Sequence, residues 1–214
     1  MKATLNGITL KIEQDELAQS PREWDNLGTM VCWHNRYNLG DKHTFEDSHD
    51  FLSELAWSLD GGSTYEWEEL QDMSDSELLA FVRSLKTMIL PVYMYDHGDV
   101  SLSVEPYSCR WDSGQVGWVY ATHDKLVKEY QQYFRKGGKK KLKRSDYERA
   151  ERCLKAEVET YGQYVNGEVY WFGIEDENGE LIDSCGGFFG YDPKKNGMME
   201  HINEKYHALV DMLE

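Results

Sequence analysis

The amino-acid sequence predicts an α+β fold in which an antiparallel sheet built from hairpins is flanked by about five amphipathic helices. Strand-like and helix-like segments are mixed along the chain, without the strict strand–helix–strand alternation of a doubly wound parallel sheet. Asn6-Gly7 and Asn178-Gly179 lie between alternating apolar segments, which is typical of two-residue hairpin turns. We therefore expect one antiparallel α+β domain over residues 1–214.

The first half of the chain predicts one hairpin and two helices. The segment ATLNGITLKI alternates apolar and polar residues around its Asn-Gly pair, as a strand pair does. A helix is expected to begin at Thr44 and to end at Gly61-Gly62, because apolar residues between them recur on one face. A second helix is expected at the capping box Ser74 to Glu77, whose side chains satisfy unpaired backbone N–H groups of the first turn.

The second half predicts further strands and three more helices. Val100, Leu102 and Val104 alternate with polar residues, which indicates a half-buried strand. Another strand is expected over residues 115–121. The three helices are expected over residues 122–134, from the capping box Ser145 to Glu148 as far as Asn166-Gly167, and after the N-cap pair Asp192-Pro193.

Composition excludes several classes of protein. The chain has 39 acidic and 23 basic residues and a net charge of -16, and such a surface repels the phosphates of nucleic acids. Its four cysteines are far apart with no CxxC pair, and residues 1–15 contain no apolar signal region, which favours reduced thiols in a cytoplasm. No apolar run approaches the roughly 20 residues that span a bilayer, so we expect no membrane association.

Acidic residues are concentrated between residues 41 and 80, where twelve acids accompany the single base Lys42. We expect residues 41–90 to form an acidic helical lobe. Acids at this density resemble the phosphate spacing of a nucleic acid and suit the basic groove of a DNA-handling protein. The alternative is a solvated helical face that keeps the protein soluble. The candidate partner-binding residues are Asp60, Glu66, Glu68, Glu69, Asp72 and Asp75.

The opposite charge is concentrated between Arg135 and Arg144, where seven of ten residues are basic and two are glycine. Such a run is compatible with a contact to phosphate or to an acidic protein. It has no interleaved aromatic residues, however, and short basic runs are more often plain loops.

One set of side chains has the composition of a thiol enzyme. Asp96, His97, Cys109, Asp112 and Cys185 are each expected near the end of a strand. A histidine activates a thiol and an acid fixes the histidine tautomer, which makes His97, Cys109 and Asp112 the candidate catalytic residues. No nucleophile signature, metal-ligand spacing or phosphate-binding glycine loop accompanies them, so we expect no cofactor and no metal.

The turn Trp111-Asp112-Ser113-Gly114 suggests a small-ligand site instead. If this turn and the turn near Cys185 lie at one end of the sheet, Trp111, Gln115, Tyr107 and Phe188 would line a groove for a peptide, a base or a nucleotide. The candidate ligand-binding residues are Trp111, Ser113 and Gln115. The alternative is that these aromatic residues fill the core.

Several blocks of the chain resemble a family of uncharacterised proteins of bacteriophages and other mobile elements. They are SPREWDNLGTMVCWHNRYNLGD, PVYMYDHG, SCRWDSGQVGWVY, EVETYGQYVNGEVY and DSCGGFFGY, and the similarity runs from about residue 19 to residue 192. The resemblance implies a context rather than a mechanism, because no activity is assigned to the family. Small acidic accessory proteins of phages often act by binding a host protein.

Charge pattern and resemblance together predict a cytoplasmic protein that binds and inhibits a host nucleic-acid-handling or defence protein, of the anti-CRISPR or anti-restriction type. Its partner would be a host protein with a basic surface rather than a nucleic acid. The alternative function is that of an enzyme, or of a nucleotide- or small-ligand-binding protein, that uses the turns at Asp96-His97-Gly98 and Trp111-Asp112-Ser113-Gly114.

Overall fold

Two four-stranded sheets organise the chain, which is described here by a computed structural model over residues 1–109, 111–131 and 141–213. The strands are β1 (Lys2–Leu5), β2 (Ile8–Gln14), β3 (Thr29–Cys32), β4 (Met88–His97), β5 (Asp99–Ser103), β6 (Ser113–Ala121), β7 (Val169–Glu175) and β8 (Leu181–Phe189). The helices are α1 (Ser48–Asp60), α2 (Trp67–Asp72), α3 (Asp75–Ser84), α4 (His123–Gln131), α5 (Arg144–Val165), α6 (Met198–His201) and α7 (His207–Val210). The predicted α+β class with antiparallel strands is confirmed.

The chain divides into two units. The first contains residues 1–23, 99–101 and 160–214, and the second contains residues 24–98 and 102–159. The sheet of the first unit has the strand order β1-β2-β7-β8, and the other sheet has the order β3-β6-β4-β5. The single domain expected over residues 1–214 remains a prediction beside this division. No helix among the described residues is both long and apolar enough to cross a membrane.

Hairpins form the sheet of the first unit, as the sequence predicts. Asn6 and Gly7 have φ angles of 51° and 77°, and the left-handed conformation of both residues is what a two-residue type I′ turn requires. Strand β2 then pairs antiparallel with β7, and β7 pairs antiparallel with β8 across the Asn178-Gly179 turn. Alternate residues of β2 and β7, among them Leu10 and Phe172, are buried.

The core of the first unit is completed by the end of the chain, which is not the single helix expected after Asp192-Pro193. Helix α6 ends at His201, and Ile202 has an extended backbone. The Asn203 side chain then accepts a hydrogen bond from the backbone N–H of Lys205 and so begins a new turn. Met198, Ile202, Leu209 and Val210 are nevertheless all buried against the sheet.

In the second unit, α1, α2 and α3 pack on the sheet through a continuous apolar cluster. Its fully buried members include Phe51 and Leu52 of α1 and Leu78 and Val82 of α3, and Ile89 of β4 is buried in the same cluster. Burial of each large side chain of this kind contributes about 1.5–3 kcal/mol to folding. The acidic segment is therefore anchored by an apolar face, and its charged residues are left on the opposite face.

The helix ends in this segment follow capping chemistry. Helix α1 begins at Ser48 rather than Thr44, because Asp47 is the N-cap whose side chain accepts a hydrogen bond from the Asp50 N–H. It ends at Gly61, whose φ of 62° is left-handed. The capping box at Ser74 is confirmed at the start of α3. Helix α2 is not predicted from the sequence.

Helix α5 ends before Gly167 as expected but begins differently. The predicted capping box of Ser145 and Glu148 does not form: Glu148 pairs with Arg144 at 2.8 Å, and Asp146 accepts a hydrogen bond from the Lys143 N–H at 2.7 Å. The end expected for α4 near residue 134, and residues 135–140 of the basic run, lie outside the described residues.

Candidate functional site

The three candidate catalytic side chains come together at one end of the second sheet. The backbone N–H of Asp96, near the end of β4, donates to the carbonyl of Asp112, just before β6, at 2.9 Å. This pairing places the next residue, His97, beside Asp112, with 3.3 Å between His97 Nδ1 and Asp112 Oδ2. Cys109 Sγ donates to the same carboxylate oxygen at 3.5 Å.

The chemistry that these three side chains support depends on which of them are hydrogen-bonded to each other. The Asp112 carboxylate accepts from the thiol and also contacts the imidazole, so the thiol is hydrogen-bonded to the acid and not to the histidine. Asp112 can orient the imidazole through Nδ1 and leave Nε2 for a ligand, which is the arrangement of a general base. His97 is 69 % exposed, however, so water screens this pair.

The remaining members of the predicted enzyme site, and the predicted ligand-binding residue Ser113, have separate roles. Arg36 forms an ion pair with Asp96. Ser113 Oγ donates to the backbone carbonyl of Cys109 and thereby closes the turn. Cys185 lies in β8 of the first unit.

The predicted ligand-binding residues differ strongly in exposure. Trp111 is 96 % exposed at the tip of its turn. Gln115 is held in β6, where its Nε2 donates to the Gly117 carbonyl at 3.2 Å. Tyr107 stacks at a tilt against Tyr95, with 5.6 Å between ring centroids, and burial raises the pKa of Tyr107. Phe188 is buried in the core of the first unit.

Four of the six acids predicted to bind a partner also stabilise their own segment. Asp60 accepts hydrogen bonds from the backbone N–H and the hydroxyl of Thr64 at 2.7 and 2.8 Å, and these bonds lower the pKa of Asp60. Glu66 and Glu69 form the reciprocal capping box that begins α2. These carboxylates explain why a short acidic segment folds into a defined turn and helix.

Asp75 is the fourth of these acids and joins two helices. Its Oδ1 lies 2.9 Å from His49 Nδ1, and His49 Nε2 lies 3.1 Å from the carbonyl of Gln71. The hydrogen bond to Asp75 is the main reason why the pKa of His49 is raised. Trp57 of α1 and Trp67 of α2 also meet edge to face, with 6.0 Å between ring centroids.

The remaining two acids, Glu68 and Asp72, are exposed. Within the described part of the chain, neither has a hydrogen bond or an ion pair, and the same is true of Glu54 on α1. These three carboxylates are not needed to hold the helices together. They are therefore the acids most available to another molecule.

Beside this acidic segment lies a cavity of about 500 Å³ that sequence reasoning missed. Its walls come from four separate parts of the second unit, and only Asp75 and Gln115 were candidates, each for a different site. The polar and aromatic residues that line it are Trp33, Glu46, Asp47, Ser48, Asp75, Ser76, Gln115 and Trp118.

Both indole rings of the cavity are fixed in place. Trp118 Nε1 donates to Ser48 Oγ at 2.9 Å, and Trp33 Nε1 donates to the Phe45 carbonyl at 3.0 Å. Asp47 and Asp75 each use one carboxylate oxygen in the contacts described above and have no partner for the second among the described residues. Carboxylates and indole rings that line one cavity form a site that is chemically suited to a cation.

No group of three His, Cys, Asp or Glu side chains in the described ranges is arranged to hold a metal ion. No protein-family model, no curated protein and no solved structure matches this chain. The site must therefore be interpreted from its own geometry.

Proposed function

We propose that this protein binds a basic surface of a host nucleic-acid-handling or defence protein and inhibits it, in the manner of an anti-CRISPR or anti-restriction protein of a phage or mobile element. The observation that carries the proposal is the acid-rimmed aromatic cavity beside α1–α3. A lysine or arginine of the partner would enter the cavity, where the carboxylates of Asp47 and Asp75 and the ring of Trp118 receive it.

Other acids of the same acidic segment support this proposal. Glu54, Glu68 and Asp72 are exposed on α1 and α2 without partners in the described chain, so they are available to ion pairs across an interface. Such exposed charges speed association more than they add affinity, and salt screens them. The buried cationic side chain would supply most of the affinity, as anchor residues usually do.

The test begins with the tagged protein expressed in a bacterial host, from which co-purifying proteins are recovered and identified by mass spectrometry. We expect a stoichiometric partner with a basic surface that is lost at high salt. In the triple variant Glu54→Lys/Glu68→Lys/Asp72→Lys, recovery of this partner should fall at least about tenfold.

Two controls separate local charge from overall charge and from shape. Glu159→Lys/Glu180→Lys/Glu204→Lys changes net charge equally at exposed acids elsewhere and should retain the partner. Ser76→Trp fills the cavity without removing an acid and should release the partner, whereas Ala80→Trp on the same helix should not. Equal losses in both triple variants, or retention in Ser76→Trp, would contradict the proposal.

A second candidate function rests on the contacts among His97, Asp112 and Cys109. An imidazole oriented by a carboxylate, with a thiol beside it, supports proton transfer or attack on an activated acyl group. Hydrolysis of p-nitrophenyl acetate is the assay. Under this proposal His97→Ala, Asp112→Ala and Cys109→Ala each lower the rate at least about tenfold, and His201→Ala in the other unit leaves it unchanged. Equal rates in all four variants would exclude it.

A further inference from the structure

A second cavity, of about 510 Å³, has the opposite electrostatic character from the acidic one. It lies in the second unit where α3 ends and where α4 and α5 begin. The lining residues on which its chemistry depends are Arg83, Lys86, Thr87, His123, Lys141 and Tyr147. In a chain of net charge -16, none of the described residues that line this cavity is acidic. Its volume is within the range of small-molecule sites.

Compensation of a helix dipole explains only some of the basic residues that line this cavity. Arg83 in the last turn of α3, and Lys86 just after it, complement the negative end of that helix dipole. That explanation does not apply to Lys141, which precedes α5, or to the imidazole of His123, which is the first residue of α4. A cation is disfavoured at a helix N-terminus, and an anion in the cavity would offset this cost for Lys141.

Two neutral groups of the cavity also suit an anion. Tyr147 and His123 are joined by a hydrogen bond of 3.2 Å between the phenol oxygen and Nδ1, which fixes two lining side chains from different helices. Burial raises the pKa of Tyr147, so its hydroxyl remains protonated at neutral pH. Thr87 is only 5 % exposed, and its hydroxyl has no hydrogen-bond partner among the residues that the structure describes. A buried hydroxyl without a partner is unusual and requires an explanation.

We propose that this cavity binds a small phosphorylated molecule, with Arg83, Lys86 and Lys141 around the phosphate and with His123 and the Thr87 hydroxyl as hydrogen-bond donors. A planar guanidinium binds phosphate oxygens in pairs, and ammonium groups neutralise the remaining charge. The cavity is larger than one phosphate group requires, which leaves room for the rest of a small ligand. This site shares no residue with the proposed partner-binding surface, so either can fail alone.

The backbone conformation at Lys86 suits a substitution that tests the role of its charge. Lys86 has a φ of 63°, and asparagine adopts this left-handed conformation more readily than lysine. Lys86→Asn therefore removes the charge without straining the chain. Combined with Arg83→Gln, it is matched by Lys42→Asn/Arg152→Gln, which removes the same two residue types at exposed positions away from the cavity.

The experiment is calorimetric titration of the full chain with inorganic pyrophosphate at low salt. We expect saturable binding of one pyrophosphate, with Kd raised at least about tenfold in Arg83→Gln/Lys86→Asn and changed less than about twofold in the matched control. Thr87→Val, which keeps the side-chain shape, should also weaken pyrophosphate binding. Its unfolding temperature should be the same as that of the parent protein or higher. Absence of saturable binding, equal weakening in both double variants, or full affinity in Thr87→Val would overturn the proposal.

Discussion

The carboxylate of Glu157 on α5 holds Gly28 and its neighbour at the start of β3. Oε1 accepts the backbone N–H of Leu27 at 2.7 Å, and Oε2 accepts that of Gly28 at 2.9 Å. A Cβ at position 28 would lie 2.5 Å from a Leu154 methyl group and 2.8 Å from Glu157 Oε2. Only glycine therefore lets the helix approach the chain closely enough for both hydrogen bonds.

Replacing this carboxylate should destabilise the second unit. Glu157→Gln puts an NH₂ group where one backbone N–H needs an acceptor, and it removes the charge that strengthens the other bond. We expect a loss of about 1.5–3 kcal/mol in the free energy of unfolding, measured in urea. Glu159→Gln, at an exposed position of the same helix, should change it by less than about 0.5 kcal/mol. Equal effects of the two variants would exclude this role of Glu157.

Cys153, one turn before Glu157, should react slowly. Burial, and after it the negative charge and hydrogen bond of Glu157, raise the pKa of Cys153 to about 11. Because the thiolate is the nucleophile, alkylation by iodoacetamide at pH 8 should be at least about tenfold slower than for the same cysteine in the urea-unfolded chain. Peptide mass spectrometry identifies the modified cysteine. The alkylation rate of Cys153 in the folded protein should still rise about tenfold per pH unit at pH 9.5.

The same shift fixes the sign of a stability effect. Since the folded pKa of Cys153 is above the unfolded value, the unfolded chain releases this proton first as pH rises. The contribution of Cys153 to stability is thus fully present below the unfolded pKa and is lost as pH rises toward 11. In Cys153→Ser, the decline of stability above pH 9 should be shallower than in the parent protein. If the alkylation rate of Cys153 reached a plateau below pH 9.5, the pKa would not be raised, and both the slow alkylation and this pH dependence of stability would be contradicted.

Local patterns in the sequence predict those parts of the fold in which neighbours in the chain interact. The turn at Asn6-Gly7 and the capping box at Ser74 depend on residues at most three positions apart, and both are present. Helix α2 is missed because its N-cap is Glu66, a residue type seldom used there, and because it spans only six residues. The prediction of a single helix after Asp192-Pro193 is wrong because the Asn203 side chain begins a new turn.

The candidate sites show more clearly which contacts sequence patterns do not predict. His97 and Asp112 meet because β4 pairs with β6. The sequence predicts that each residue lies near the end of a strand, but it does not predict which strands pair. The acidic cavity combines Trp33, Asp47 and Gln115 from three distant segments, and the hydrogen bond of Leu27 to Glu157 joins residues 130 positions apart. Periodicity and capping carry no information on such contacts, because packing between elements decides them.

Gly117 in β6 should be the glycine of this strand that is least tolerant of substitution. A Cβ there would lie 2.1 Å from the Val31 carbonyl oxygen and 2.8 Å from Cys32 Cα, both backbone atoms of the paired strand. Gly117→Ala should lower the free energy of unfolding by about 3 kcal/mol or more, since the backbone cannot move aside cheaply. Gly114 in the same strand has no atom of the described residues, apart from its own chain neighbours, within 4 Å of its Cβ position, so Gly114→Ala should be neutral or slightly stabilising. Similar losses in both variants would show that β-strand propensity, and not close approach, sets the effect.

The pair of His49 and Asp75 should make the stability of the acidic segment depend on pH. Asp75 raises the pKa of His49, so the folded state keeps a proton that the unfolded chain releases near pH 6.5. The contribution of the pair is therefore fully present below pH 6.5 and is lost as pH rises through the folded pKa. Asp75→Asn should cost about 0.5 kcal/mol more at pH 5.5 than at pH 8, a small difference because both side chains are partly exposed. Urea unfolding at the two pH values measures it, and Asp72→Asn, at an acid without a partner in the described chain, should show no such difference.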